Sequence, residues 1–143
     1  MKWSRENDFD ATIDAASKKY GVPVPVIKAT IAKESSFNPL IDTGSVGLMQ
    51  LEVATAYEMG FIGSREDLFL PEKNIRAGVA YLAHLRKRYP DEPWDAIYAA
   101  YNSGKVRRNA AGHFVNSKGD ENVEKHVVGF RKALEYFEGL ETP

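Results

Sequence analysis

Apolar residues in this chain recur three and four positions apart, and few segments alternate with period two. That spacing gathers them on one side of a helix and on neither face of a strand, so the chain is confined to a mainly helical, all-α fold. Glycine and proline cut the pattern into pieces. A first helix is predicted over 8–20, ended by Gly21, and a second enters at Pro23 and Pro25 and runs to 36. A third is expected over 48–59, stopped by Gly60, and a fourth over 71–89, with Pro71 in its first turn and Ile75, Val79 and Leu82 in one stripe. Pro90-Asp91-Glu92-Pro93 separates it from a fifth over 94–103, and a last helix spans 123–139. Segments 38–46 and 63–67 read as loops, and 105–120 as a longer polar loop with at most a short hairpin around His113-Phe114-Val115. With 143 residues, 43% of them apolar, the whole of 1–143 is expected to form a single domain with no second module.

The composition narrows the chemistry. No cysteine occurs, so disulfides and thiolate metal sites are excluded. His84, His113 and His126 are scattered and form no His-Glu-x-x-His pattern, and neither a metal nor any other cofactor is expected. With 19 basic against 20 acidic residues there is no bulk field to recruit nucleic acid, which leaves recognition to a shaped groove on a monomer. No stretch is long and apolar enough for membrane insertion, and the first residues lack the apolar segment of a signal peptide. The chain is therefore expected to be made in the cytoplasm without a leader, unless one has been removed.

Against this background Glu34 stands out. Ile27, Thr30, Ile31 and Glu34 fall on one side of the second helix, so a carboxylate shares the face meant for burial. Asn38-Pro39 ends that helix soon afterwards, leaving Glu34 near the negative end of the helix dipole. Desolvation and dipole both favour the protonated acid, and an acid kept protonated near neutral pH can give a proton to a leaving group. From this helix alone, a structural Glu paired with a Lys or Arg fits equally well.

Three further blocks decide between these readings. Glu34-Ser35-Ser36-Phe37-Asn38-Pro39 is followed by Gly47-Leu48-Met49-Gln50 with Ala54-Thr55-Ala56, then by Pro71-Glu72-Lys73-Asn74-Ile75-Arg76-Ala77-Gly78, and last by Ala99-Ala100-Tyr101-Asn102-Ser103-Gly104. In this order and spacing they resemble the soluble lytic transglycosylase family, whose catalytic domain has a goose-lysozyme-like fold. The resemblance implies cleavage of the β-1,4 bond between N-acetylmuramic acid and N-acetylglucosamine in peptidoglycan glycan strands, with one glutamic acid doing all the proton transfer. That acid protonates the bridging oxygen, then as carboxylate deprotonates the C6 hydroxyl of the same muramoyl residue, closing a 1,6-anhydro ring. Carried over, the double role falls to Glu34. Gln50 would bond sugar or support the acid's pocket, Tyr101 would form a cleft wall, and Asn102 would bind substrate or orient the site. The resemblance also suggests a phage endolysin or a virion-associated enzyme that reaches the periplasmic wall after release.

Several of these residues also have plainer uses. Ser35 and Asn38 can serve the helix end instead of touching substrate, Tyr101 can belong to the core, and Met49 reads as core packing. Asn74 and Arg76 read as local structure, and Gly78 as a site of close helix packing rather than of backbone access to a ligand. Where the family often carries Met-Pro two residues after the Gln, this chain has Glu52-Val53, so a second acidic group is expected to face the groove. The family's loop Ser has no single equivalent, with Thr43 and Ser45 both candidates, and its Tyr-Val pair becomes His126-Val127. Two other functions compete. A hydrolase on the same fold needs a second carboxylate roughly 6.5–9.5 Å from the acid, for which Asp42 and Glu52 are the candidates. A non-catalytic glycan-binding subunit would have lost turnover while keeping the groove.

Overall fold

The computed structural model describes residues 2–141. Its helices are α1 (Asp10–Tyr20), α2 (Val24–Ser35), α3 (Val53–Glu58), α4 (Pro71–Arg88), α5 (Trp94–Ser103) and α6 (Asn122–Glu141), with a 3-10 turn at Glu66–Phe69. Among the described residues, extended pairing is limited to the isolated bridges Asp42–Val46, Val46–Leu51 and Arg108–Phe114. The last is the short hairpin expected within the polar loop. None of the described helices is long and apolar enough to cross a membrane.

The layout follows from α2, which is buried along nearly its whole length and packs most extensively on α6, with α1 on another side. Pro25 sits in its first turn, where a missing N–H leaves no hydrogen bond unmade. Val26, Ile27, Ala29 and Ile31 are fully buried, and the buried Thr30 hydroxyl is satisfied by donating to the Val26 carbonyl at 2.8 Å. Lys28 is also buried, its ammonium held by Asp10 at 2.7 Å and by the Asn7 side chain at 3.1 Å. That cation ties α2 to α1 and the segment before it. α4 closes against α1 on one side and α5 on the other, while α5 continues onto α6.

The structure corrects the third helix, which begins at Val53 instead of 48. Residues 46–51 form a tight reversal in which Val46 and Leu51 exchange both backbone hydrogen bonds, at 2.8 and 3.1 Å, with Gly47 at φ 75° and Gln50 at φ 48°. Leu48 and Met49 are apolar because this turn inserts them into the core, where both are completely buried. Core burial from a turn mimicked helical periodicity. A Cβ on Gly78 of α4 would stand 2.4 Å from the Met49 Sδ and 2.8 Å from its Cβ, so the glycine admits Met49 rather than a ligand. Another difference is that residues 66–67, the end of an expected loop, open the 3-10 turn.

Candidate active site

The last turn of α2 sets the centre of the site. The helix stops at Ser35, and Ser36 and Phe37 take left-handed backbone angles, φ 52° and 63°, an uncommon choice for two non-glycine residues in succession. Burial of the Phe37 ring, within 6.3 Å of Trp3 and 6.0 Å of Phe137 between ring centres, holds this sharp exit in place. Glu34 is left at the C-terminal end of the helix, half-buried and facing a groove.

The opposite wall is the 46–51 turn, braced from two helices. The buried Asn74 of α4 accepts from the Met49 N–H at 2.8 Å and donates to the Val46 and Leu68 carbonyls at 2.8 and 2.9 Å. Gly47 is required beside it, because a Cβ there would lie 2.6 Å from the Asn74 amide nitrogen. From α5, the Tyr101 hydroxyl donates to the Met49 carbonyl at 2.5 Å. Asn74 thus has a structural role, as expected, but a long-range one.

The groove between these walls has a volume of about 460 Å³, and the residues lining it include Glu34, Gln50, Glu52, Tyr81, Tyr101 and Asn102 together with Thr43, Ser45, Thr55 and Ser103. Seven of the sequence-predicted residues (Glu34, Gln50, Tyr101, Asn102, Glu52, Thr43 and Ser45) come together here. Ser35 does not. Its buried hydroxyl donates to the Leu48 carbonyl at 2.7 Å, which pins the helix end to the turn beneath the groove. Asn38 is also structural, but local, accepting from the Leu40 N–H at 3.0 Å.

Gln50 turns inward to its own loop. Its amide donates to the Ile41 and Gly47 carbonyls at 3.0 and 2.9 Å and accepts from the Thr43 hydroxyl at 2.7 Å, so three of its bonds shape the wall. The Asn102 side chain, by contrast, is exposed to the groove and has no hydrogen-bond partner among the described residues. Of the two candidate second carboxylates, Asp42 is committed elsewhere. Arg65 grips both its oxygens at 2.7 and 3.0 Å, and with the Gly44 N–H holds its carboxyl at a pKa of about 2. Such a weak base is poorly suited to activate water near neutral pH. Glu52 remains in the groove without an ion pair among the described residues.

Tyr98 is the residue that sequence reasoning missed. It is fully buried on α5 and donates its hydroxyl to Glu34 Oε2 at 2.6 Å. The signal was available, because it lies one turn before Tyr101 on the same face. Burial raises the Glu34 pKa above the ordinary carboxyl value, while the Tyr98 bond and the nearby Lys33 charge pull it back down. Tyr98 and Tyr101 are both pushed upward, chiefly by desolvation and then by Glu34, so both remain protonated donors. Among the described residues no group of three His, Cys, Asp or Glu is placed to hold a metal ion. The arrangement supplies one elevated carboxylic acid, an engaged donor behind it and polar groups along an open groove.

Comparison with known proteins agrees with this geometry. The Transglycosylase SLT domain profile matches residues 11–124. Membrane-bound lytic murein transglycosylase F of Desulfosudis oleivorans is 44% identical over 109 residues, covering 71% of this chain and 23% of that protein. Membrane-bound lytic murein transglycosylase C of Serratia proteamaculans is 41% identical over 115 residues, covering 70% of this chain and 32% of that protein. The chain therefore spans about a quarter to a third of the length of these relatives. In structure it resembles a 70 kDa soluble lytic transglycosylase in complex with bulgecin A, with TM-score 0.78 and 21% identity over 94% of this chain and 25% of that one. The 70 kDa soluble lytic transglycosylase of Escherichia coli superposes with TM-score 0.74 and 24% identity over 92% of this chain and 24% of that one. At these identities the two structures establish a shared fold.

Proposed function

The chain belongs to the transglycosylase SLT domain family, and from that premise we propose that it is a peptidoglycan lytic transglycosylase whose acid/base is Glu34. The substrate is the glycan strand, cleaved between N-acetylmuramic acid and N-acetylglucosamine. The observation that carries the reading is Glu34 itself, a half-buried acid with a raised pKa opening on the groove. Held neutral, it gives its proton to the bridging oxygen as the C1–oxygen bond breaks. The resulting carboxylate takes the C6 hydroxyl proton while O6 bonds to C1, which regenerates the acid and leaves a 1,6-anhydro end. No second carboxylate is needed, in keeping with the capture of Asp42 by Arg65.

Tyr101 and Asn102 would contact sugar, while Gln50, Thr43 and Ser45 shape the loop along which the strand lies. Such an enzyme works on the wall, on the periplasmic side, and lysis by a phage would place it there. Mass spectrometry of muropeptides from purified cell walls tests the proposal. The expected products are anhydro-muropeptides, one water lighter than reducing ends, and they should disappear with Glu34→Gln. Reducing-end products would favour hydrolysis with Glu52 as base, since it lines the groove without an ion pair among the described residues. Full activity of Glu34→Gln would remove the mechanism altogether.

A further inference from the structure

Glu34 has two carboxyl oxygens in different surroundings, and the difference bears on which of them carries the transferable proton. Oε2 receives the Tyr98 hydroxyl at 2.6 Å, whereas Oε1 has no hydrogen bond from any described residue. Tyr98 is completely buried, its ring stacked on Phe130 with centres 4.5 Å apart and planes within 3°. The phenol therefore has little freedom to swing away. Glu34 Oε2 is also its sole hydrogen-bond partner among the described residues.

We propose that Tyr98 is a positioning residue that fixes the catalytic proton of Glu34 on Oε1, the oxygen without a partner among the described residues, by occupying Oε2 as an obligatory donor. The inference rests on the reading of Glu34 as the acid/base. Its logic is one of satisfied donors. If the neutral acid carried its proton on Oε2, the bond to Tyr98 would have to reverse, and the buried phenol proton would lose its acceptor, an expensive outcome in the interior. With the proton on Oε1, the Tyr98 hydroxyl keeps its acceptor on Oε2, and Glu34 lines the groove into which the proton is given. Tyr101, one turn along α5, cannot substitute, because its own proton is committed to the Met49 carbonyl at 2.5 Å.

The same bond acts on both halves of the reaction. When Glu34 has given up its proton, Tyr98 donates to a full carboxylate, and a charge-assisted bond is stronger than a neutral one. Tyr98 thus eases departure of the proton while burial keeps the acid protonated beforehand. The other groups around Glu34 are accounted for. Lys33 on its own helix favours the charged form. Tyr101 on α5 and Tyr81 on α4 are both pushed upward by desolvation first. Glu52 lies across the groove, and His126 on α6 is held below its usual pKa by partial desolvation and by Lys33.

Tyr98→Phe tests the assignment, since it removes one oxygen and leaves the ring against Phe130. The measurement is anhydro-muropeptide formation across pH, corrected for folded fraction. Loss of the donor disfavours the carboxylate, so the alkaline limb, where Glu34 loses its proton, should move to higher pH. The plateau kcat should fall on the order of tenfold or more. KM should stay within a few-fold, because Tyr98 does not line the groove. Site-specific fluorotyrosine at position 98 supplies a stronger donor and should move the limb the opposite way. It also gives an answer if Tyr98→Phe folds poorly. A limb unmoved by either variant would overturn the proposal and leave Tyr98 as core. Failure of Glu34→Gln to lose activity is a separate result, and it would refute the acid/base reading instead.

Discussion

Asn74→Ala offers a demanding test of how the groove wall is held. The side chain is completely buried and makes three hydrogen bonds, one from the Met49 N–H and two to the Val46 and Leu68 carbonyls. Truncation strands the Met49 N–H and the Leu68 carbonyl, whereas the Val46 carbonyl keeps its bond from the Leu51 N–H at 3.1 Å. Two stranded groups at about 1–3 kcal/mol each, with a small cavity added, give a loss of roughly 3–5 kcal/mol. That is a large part of the ~5–15 kcal/mol stability of an ordinary domain. At about 2–4 °C per kcal/mol, Tm should fall by roughly 6–20 °C, read by circular dichroism.

Asn74→Asp sharpens the test because it keeps the shape and the acceptor for Met49 while replacing the donor by an oxygen. As a carboxylate it faces two carbonyls. Its folded pKa should therefore lie above the unfolded value, so any compensation by the protonated acid is present at low pH and lost as pH rises through the folded pKa. The deficit relative to wild type should widen from acid to neutral pH, whereas that of Asn74→Ala should change little. A drop of less than about 3 °C for Asn74→Ala, with full activity, would refute the claim that this amide braces the wall.

Gly78→Ala should destabilise by about 1–3 kcal/mol, because the new methyl meets Met49 at 2.4–2.9 Å, and calorimetry would register this alongside lost lysis. Glu34→Gln should abolish lysis yet raise Tm at neutral pH. The raised pKa means that the folded protein favours the neutral acid, so the Glu34 contribution is intact below the unfolded value and fades as pH rises through the folded one. The gain should vanish in acid. The Asp42 carboxyl should titrate near pH 2 by NMR, with its contribution to stability complete above its ordinary pKa and lost as pH falls from there through the folded value of about 2. Asp42→Asn should keep lysis and anhydro products. Glu52→Gln should also retain substantial lysis, whereas a loss of roughly 10²–10⁴-fold would identify Glu52 as a base for water.

Much of this arrangement could be read from residue order. Pro25, Pro71, Gly21 and Gly104 punctuate helices whose apolar spacing is clear, and Glu34 is conspicuous because a carboxylate interrupts a buried face. What escaped was whatever depends on tertiary partners. Residues 48–50 looked helical because Leu48 and Met49 are buried, and periodicity cannot tell a core-inserted turn from a helix. Tyr98 went unremarked: its helical register puts it on the same face as Tyr101, but nothing in its neighbours announces an acceptor sixty-four positions away. Ser35 and Asn74 have long-range carbonyl partners that no local pattern encodes.

The double brace on Met49 has a consequence for how this protein loses function. Its N–H is held from α4 and its carbonyl from α5, so the catalytic wall exists only when both helices are docked at the correct depth. A loosened state of the molten-globule kind, with its helices largely intact, would retain most of its far-ultraviolet dichroism and yet lack a groove. Helicity is then a poor proxy for competence. Inactivation on mild heating or acidification should precede loss of secondary structure, and the gap between the two should widen when either brace is weakened.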